Sequence, residues 1–352
     1  MARARDEALP QADQAEGCPH PREVYDLIGH EAQERQFANM LAADSLHHAW
    51  LLTGPSGIGK ATLAYRMIRT VLGGQPDTPG RLDVPAFDPV ARRIQSLGHG
   101  DFLLIRRPWD INTKKLRSDI PISEARKISA FFAKKPAEGG WRVCLIDTMD
   151  EMNRNAANAV LKTLEEPPDK ALLILLSRTP GRLLPTIRSR CLSLPLHPVD
   201  AEVLMDWLAG QVAADTADIE AAVKLAGGAP GRALAIVRSA KHVLIPLERF
   251  MAVFPRSHAA LAHQISDALA PVKMRLEREI FWDSLSAVLH AQSVYAATGE
   301  WRGPFKPIAL PHSPARWMDI RERITALRQA QEGLNMNAKQ VLLEALLMIG
   351  ER

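Results

Sequence analysis

Glycines and a lysine recur in one segment at the spacing of a loop that binds phosphate groups. The segment is Gly54-Pro55-Ser56-Gly57-Ile58-Gly59-Lys60. Glycines let backbone N–H groups turn inward, and a helix that begins at the lysine adds partial positive charge. The lysine ammonium reaches the outer phosphates. The segment therefore predicts a nucleotide-phosphate site, and the alternative is a glycine-rich turn without a ligand.

The next two residues bear on magnesium. In such loops a Ser or Thr directly after the lysine holds Mg²⁺. Here that position is Ala61, whose methyl group cannot ligate a metal. Thr62 leaves the helix about 100° further round, so it is a poor substitute. We expect an intact phosphate cradle for ATP or ADP with a damaged magnesium site.

A second acidic position follows an apolar stretch. Asp147 ends Val143-Cys144-Leu145-Ile146, where P-loop proteins carry the aspartate that orients Mg²⁺ and its water. In hydrolytic P-loop proteins the residue directly after this aspartate is the general base, and here that residue is Thr148. Asp150 and Glu151 lie further on, and a general base must sit within hydrogen-bond reach of its proton. We interpret these two as solvated or helix-capping residues, with a catalytic role as the alternative.

Strands and helices alternate around these residues. The apolar patterns predict strands at Leu51–Thr53, Arg142–Ile146 and Ala171–Leu176. They predict helices at Ala61–Leu72 and Asn153–Glu166. The helix at Asn153 ends where Pro167-Pro168 begins, because proline removes a donor and restricts the preceding residue. This alternation predicts an α/β fold with a parallel sheet.

The remaining segments suggest further domains. Residues 1–20 are expected to be a disordered lead, and residues 21–196 an α/β domain. Within that domain, Gly73–Gly100 is rich in Pro, Gly and Asp and is expected to be a loop or insertion. Short helices are predicted at Glu202–Leu208, Ile219–Leu225 and Arg232–Ser239, in a small helical domain over 197–240. An all-helical domain over 241–352 follows, with a connector at Gly299–Pro314 and a final helix at Ala338–Ile349, preceded by the cap candidates Asn335-Met336-Asn337.

Composition excludes several classes of protein. The chain has 352 residues, of which 47% are hydrophobic and 24% charged, so it should fold and is no disordered or fibrous chain. A net charge of +4 is too small for a protein that coats DNA. Three scattered cysteines suggest neither disulfides nor a zinc site, and no apolar run is long enough for a membrane span or a signal peptide. We expect a cytoplasmic protein with no membrane partner.

Three segments together resemble the clamp-loader branch of the AAA+ ATPases, and within it the delta-prime subunits of bacterial DNA polymerase III. They are His48-Ala49-Trp50-Leu51-Leu52-Thr53-Gly54-Pro55, Asn158-Ala159-Val160-Leu161-Lys162-Thr163-Leu164-Glu165-Glu166-Pro167-Pro168 and Leu184-Pro185-Thr186-Ile187-Arg188-Ser189-Arg190-Cys191. The resemblance implies an AAA+ P-loop domain with a parallel sheet, a small helical lid domain and a C-terminal all-helical collar domain.

The resemblance also assigns roles to single residues. It implies that Arg190 is an arginine finger that contacts the nucleotide of a neighbouring subunit, and Arg188 is the competing candidate. Arg232 corresponds to the second-sensor arginine of the lid. The residues then expected at the nucleotide are Gly54, Pro55, Ser56, Gly57, Ile58, Gly59, Lys60, Ala61, Thr62, Asp147 and Arg232.

Two further segments have less specific assignments. Ser177 or Thr179 falls where the first sensor polar group sits in the family, and the alternative is a turn former. Tyr25–His30 resembles the segment that wraps the adenine, and the alternative is an entry turn. The basic clusters Arg106-Arg107 and Lys114-Lys115-Leu116-Arg117 could contact DNA phosphates or could be solvated loops.

Two departures from the family pattern decide the expected role. Gly73–Gly100 lacks the four cysteines of the zinc module that many relatives carry, so no zinc is expected. Ala61 and Thr148 differ from the motor subunits, tau/gamma, which keep the metal-binding hydroxyl and the base.

The resemblance therefore implies a stator in a hetero-pentameric ring with delta and tau/gamma subunits. Through that ring it would act on the sliding clamp and primer–template DNA during replication, as an accessory subunit of a DNA-directed DNA polymerase with absent or weak ATPase activity of its own. C-terminal apolar stripes would hold the ring together or form a self-contained core. The alternatives are a self-sufficient AAA+ ATPase that remodels DNA or protein, and a subunit that binds a nucleotide and never cleaves it.

Overall fold

A computed structural model describes residues 11–14, 18–113, 115–254, 258–334 and 336–350. The chain divides into two compact units, Met1–Val199 and Asp200–Arg352. The predicted lead over 1–20 and the cap candidate Asn335 lie partly or wholly outside the described residues. Among the described residues, no helix combines the length and the apolar character that crossing a membrane requires.

The first unit contains strands and helices in alternation. The strands are β1 (Ala49–Thr53), β2 (Phe102–Arg106), β3 (Trp109–Asp110), β4 (Lys115–Leu116), β5 (Arg142–Asp147), β6 (Ala171–Ser177) and β7 (Leu192–Pro195). The helices are α1 (Glu31–Ala42), α2 (Lys60–Val71), α3 (Pro89–Gln95), α4 (Ile122–Phe132), α5 (Arg154–Glu165) and α6 (Pro185–Arg188).

Five strands form a parallel sheet in the order β2-β5-β6-β1-β7. Every residue of β1 and β6 is buried, because helices cover both faces of the sheet. Along β1, Leu51 joins the core formed with α4 and α5, whereas Trp50 packs edge-on against Phe37 of α1 at 5.0 Å between ring centroids. The predicted α/β class with a parallel sheet is confirmed.

The carboxyl ends of the strands meet at one edge, where the chemistry-bearing residues lie. Thr53, the last residue of β1, is in register with Ser177 at the end of β6. Arg106 at the end of β2 is in register with Asp147 at the end of β5. Ligands of open α/β sheets bind outside this edge. The fold therefore gathers residues from four separate segments of the sequence.

The segment Gly73–Gly100 is more ordered than its composition predicts. It contains α3, which Asp88 caps by accepting hydrogen bonds from the N–H groups of Val90 and Ala91 at 2.7 and 3.2 Å. Leu82 and Ile94 are fully buried. The segment is therefore more than a surface loop, since apolar side chains anchor it to the first unit, and its assignment as an insertion stays a prediction.

A buried carboxylate ties the same segment to two helices. Glu34 of α1 accepts hydrogen bonds from Nε of Arg66 in α2 at 2.9 Å and from Nε of Arg81 at 2.8 Å. The N–H of Leu82 donates to it at 3.1 Å. Only 1% of the Glu34 residue is exposed, so these donors replace the water it has lost.

The described part of the N-terminal lead also folds. Asp13 is buried and forms an ion pair with Arg106, and its Oδ2 lies 3.2 Å from Nε2 of His20. Gln11 accepts hydrogen bonds from Arg22 and Arg106 at 2.9 and 2.8 Å. For residues 11–14 and 18–20, the expectation of disorder is therefore wrong, because their polar groups find partners at the end of β2.

The second unit is helical throughout its described residues. Its helices are α7 (Ala201–Gln211), α8 (Thr216–Ala226), α9 (Pro230–Arg238), α10 (Leu244–Ala252), α11 (His258–Leu269), α12 (Arg275–Thr298), α13 (Pro314–Leu334) and α14 (Ala338–Met348). Asn337 caps α14 by accepting from the N–H of Lys339 at 2.9 Å, as predicted. The boundary at 240 between a lid and a collar domain stays a prediction.

Candidate functional site

The glycine-rich loop has the backbone conformation that its sequence predicts. Gly54, Gly57 and Gly59 have φ angles of 147°, 76° and 112°, which favour glycine. A β-carbon at Gly54 would lie 3.0 Å from the carbonyl oxygen of Leu196, tighter than most such contacts. The loop connects β1 to α2, so it stands at the edge where the strands end. This is the strand–loop–helix arrangement of a phosphate cradle.

Lys60 lies over that loop at the start of α2. Its ammonium donates to the carbonyl oxygens of Gly54 at 2.6 Å and Pro55 at 2.7 Å. Burial, together with the nearby positive charge of Arg178, lowers the pKa of Lys60 to about 8. The carbonyl contacts keep the charged end inside the loop, which is where the phosphates of a nucleotide would place negative charge.

The segment predicted to wrap an adenine reaches the same loop. The buried His30 donates from Nε2 to the carbonyl oxygen of Ile58 at 2.7 Å, and burial lowers its pKa. A β-carbon at Gly59 would lie 3.3 Å from the His30 ring. Tyr25 is stacked under the guanidinium of Arg69, 3.9 Å from the ring centroid. The segment thus supports the loop from one side, and its contact with an adenine stays a prediction.

The residues at the positions where P-loop proteins bind Mg²⁺ do not form a complete set of metal ligands. Ala61 contributes a methyl group. Burial, together with the neighbouring carboxylate of Asp13, raises the pKa of Asp147 to about 7. Thr148 is buried, and its hydroxyl has no hydrogen-bond partner among the described residues. Within those residues no three His, Cys, Asp or Glu side chains are grouped as a metal site. The donors present fit phosphate but not Mg²⁺.

Asp150 is held by residues that the sequence suggested for a sensor. It accepts hydrogen bonds from the hydroxyls of Ser177 and Thr179, each at 2.9 Å, and from the N–H of Arg178 at 2.7 Å. Although its burial acts in the opposite direction, these bonds lower the pKa of Asp150. The interpretation of Asp150 as a solvated or helix-capping residue is therefore wrong, because it fixes the end of β6.

Glu151 is also engaged. It accepts hydrogen bonds from Nε of Arg107 at 2.8 Å and from Nη2 of Arg178 at 3.2 Å. The contact with Arg178 matters because the charge of that arginine acts on Lys60. Arg178 was not singled out in the sequence, although its position directly after β6 could have signalled it.

Arg190 follows α6 and is partly exposed at the surface of the first unit. Its Nη2 lies 3.0 Å from Oε1 of Glu165, and its Nη1 donates to the carbonyl oxygen of Thr186 at 2.9 Å. About 35% of its side chain is exposed. Arg188 is exposed, and no partner of its side chain is seen among the described residues. The guanidinium of Arg190 thus has a defined position and free N–H groups.

Arg232 makes its contacts within the second unit. Its Nη2 on α9 donates to the carbonyl oxygen of Asp283 on α12 at 2.9 Å, and burial lowers its pKa. The carboxylate of Asp283 accepts from Arg328 at 2.5 Å. These bonds fasten α9 to α12. The second-sensor role of Arg232 stays a prediction.

The segment that contains the glycine loop matches a known protein family. Residues 29–200 match the family described as DNA polymerase III, delta subunit. Over this stretch the chain is similar to that family. The stretch includes the phosphate-binding loop, Asp147 and Arg190, whereas Arg232 lies beyond it.

The individual relatives include delta-prime and tau/gamma subunits of DNA polymerase III. Subunit delta-prime of DNA polymerase III from Pseudomonas aeruginosa is 34% identical over 185 residues, which are 52% of this chain and 53% of that protein. Subunit tau/gamma from Haemophilus influenzae is 30% identical over 213 residues, 60% of this chain and 29% of that protein. The resemblance to delta-prime subunits is confirmed, and the chain spans about half the length of the delta-prime relatives it matches.

A solved structure gives a further comparison. A gamma-subunit-related protein of DNA polymerase III from Thermotoga maritima aligns with a TM-score of 0.49 and 18% identity, over 91% of this chain and 99% of that one. The present chain has a five-stranded parallel sheet with the glycine loop at its carboxyl edge, and helices follow it, which confirms the α/β architecture of the predicted fold class.

Proposed function

We propose that this chain is a delta-prime-type subunit of a clamp loader. In a hetero-pentameric ring with delta and tau/gamma subunits, it would act as a stator in loading the sliding clamp on primer–template DNA. The observation that carries the proposal is the contrast within one site. The glycine loop and Lys60 suit phosphates, whereas the positions of the metal ligand and of the base hold Ala61 and Thr148.

The proposal gives the loop a binding role without turnover. Its N–H groups and Lys60 would hold the phosphates of ATP or ADP, which supply negative charge to replace the carbonyl contacts of the lysine. Asp147 is not expected to hold a metal alone, because Ala61 offers no hydroxyl beside it. A bound nucleotide would then be an element of structure.

The low pKa of Lys60 predicts a pH dependence of nucleotide affinity. Only the ammonium form attracts phosphate, so affinity for ADP should fall above pH 7 as the free lysine loses its proton. With a pKa near 8 in the free chain, the dissociation constant should rise about fivefold between pH 8 and pH 9. Isothermal titration calorimetry with ADP measures this.

The matched control is Lys60→Arg, whose guanidinium stays charged throughout. Its affinity should not change over the same range. A flat profile for the wild type up to pH 9.5 would contradict a pKa of Lys60 near 8 in the free chain.

Arg190 would supply the active contribution of this subunit. Its guanidinium is already positioned by contacts with Glu165 and Thr186. Its remaining N–H groups could donate to the γ-phosphate of a nucleotide on a neighbouring subunit. Such a contact stabilises charge that develops during phosphoryl transfer. The chain would thus promote hydrolysis next door without hydrolysing ATP itself.

Assembly tests the proposal. Mixed with delta and tau/gamma subunits from the same organism, the chain should elute in one complex that contains a single copy of it, with the mass measured by light scattering. Arg190→Ala should assemble equally well, because the arginine would reach a nucleotide of the neighbour and its contacts within the chain, to Glu165 and Thr186, lie at the surface of the first unit. Separate elution of the wild-type chain at micromolar concentrations would contradict the proposal.

A further inference from the structure

A cavity of about 530 Å³ opens beside the edge strand β2, away from the glycine loop. Its apolar floor consists of Leu97, Leu104 and Leu116, with Trp109 as an aromatic wall. Residues 11 and 12 and the β3–β4 hairpin complete it. The cavity is large enough for one bulky side chain with its neighbouring backbone.

Leu97 is an unexpected residue at its position. Its φ of 58° is left-handed, and the N–H of Gly98 donates back to the carbonyl oxygen of Arg93 at 2.8 Å to close the end of α3. Glycine fills such positions without strain. The leucine stays 40% exposed, so much of its apolar surface still faces solvent. Neither the backbone nor the core explains a leucine that projects into an open cavity.

Arginine and lysine side chains surround the floor. Arg106 is paired with Asp13, Arg107 with Glu151 and Lys127 with Glu124. Arg22 differs: among the described residues no carboxylate lies within 4.0 Å of its guanidinium, which donates instead to the neutral side chain of Gln11 at 2.9 Å. Its Nε is buried without a hydrogen-bond partner in the same part of the chain. The rim thus keeps one positive charge that a carboxylate could neutralise.

We propose that this cavity, the Leu97 cavity, binds an acidic segment of a partner protein through one large apolar side chain. The leucines would receive that side chain, and Arg22 would pair with a neighbouring carboxylate. The leucine floor favours a peptide over a nucleic acid, because bases stack on flat rings and Trp109 alone supplies one. The proposal is independent of the nucleotide site, since none of its residues belongs to the glycine loop.

Selection from a display library of random dodecapeptides on the full chain tests this binding. We expect selected sequences to share one large apolar residue flanked by Asp or Glu. Labelled copies, followed by fluorescence anisotropy, should bind about tenfold more weakly to Leu97→Gly and to Arg22→Ala. Leu97→Gly should keep or raise the melting temperature, because it relieves the left-handed strain.

The matched control is Asp44→Gly, which relieves a left-handed residue, φ 50°, outside the cavity lining. It should bind the peptides as the wild type does. The proposal is overturned if no acidic apolar sequence is selected, or if Leu97→Gly binds unchanged. It is also overturned if labelled oligothymidylate binds instead and loses affinity in Leu97→Gly.

Discussion

Arg190→Ala should reduce ATP turnover at the neighbouring site of the assembled ring by about a thousandfold or more. An arginine finger neutralises charge on the transferred phosphoryl group, and alanine leaves that charge without a partner. The change removes only contacts to Glu165 and Thr186 within the chain, both at the surface, so folding should be unaffected. Steady-state phosphate release by the complete complex measures the loss.

Two variants separate this role from a general effect of charge. Arg188→Ala removes an exposed arginine two residues away and should leave turnover near the wild-type rate. Arg190→Lys keeps the charge but loses the planar fork, so it should recover little activity. Full activity in Arg190→Ala together with a loss in Arg188→Ala would show that the arginine finger is Arg188 and not Arg190.

Glu34→Ala should lower the free energy of unfolding by about 3–5 kcal/mol. The change leaves the buried guanidinium of Arg66 without its carboxylate and frees Arg81 and the N–H of Leu82, which lie at the start of the packed segment before α3. Removing one partner of a buried pair exposes the full desolvation penalty of the other. Urea unfolding, followed by circular dichroism, measures the change.

Gln36→Ala is the matched control, because Gln36 is exposed on the same helix. It should change stability by no more than about 0.5 kcal/mol. A loss below about 1 kcal/mol in Glu34→Ala would mean that the ion pairs do not anchor the segment.

The sequence could predict those parts of the site that are local along the chain. The glycine loop requires glycines at the left-handed positions 54, 57 and 59, and its lysine begins the helix that follows. The buried strands β5 and β6 are continuous apolar runs, so their ends at Asp147 and Ser177 could be placed within one residue. Resemblance then added Arg190, which no local pattern distinguishes from other exposed arginines.

What the sequence could not predict depends on pairs that are distant along the chain. Asp150 meets the end of β6, 27 residues on, and Glu34 meets Arg81, 47 residues on. No periodicity encodes such partners. β2 and α3 were missed for a related reason, since a short edge strand and a helix of seven residues carry little pattern of their own.

On the proposed function, this chain promotes hydrolysis by a neighbour and does not hydrolyse ATP itself. The most direct test is steady-state ATP turnover by the purified chain alone and by the assembly with delta and tau/gamma subunits, each with wild-type and Arg190→Ala protein. We predict no turnover above background for the chain alone, and turnover in the assembly that falls in the variant. Robust turnover by the isolated chain, abolished by Lys60→Ala and unchanged by Arg190→Ala, would contradict the account and identify a self-sufficient ATPase.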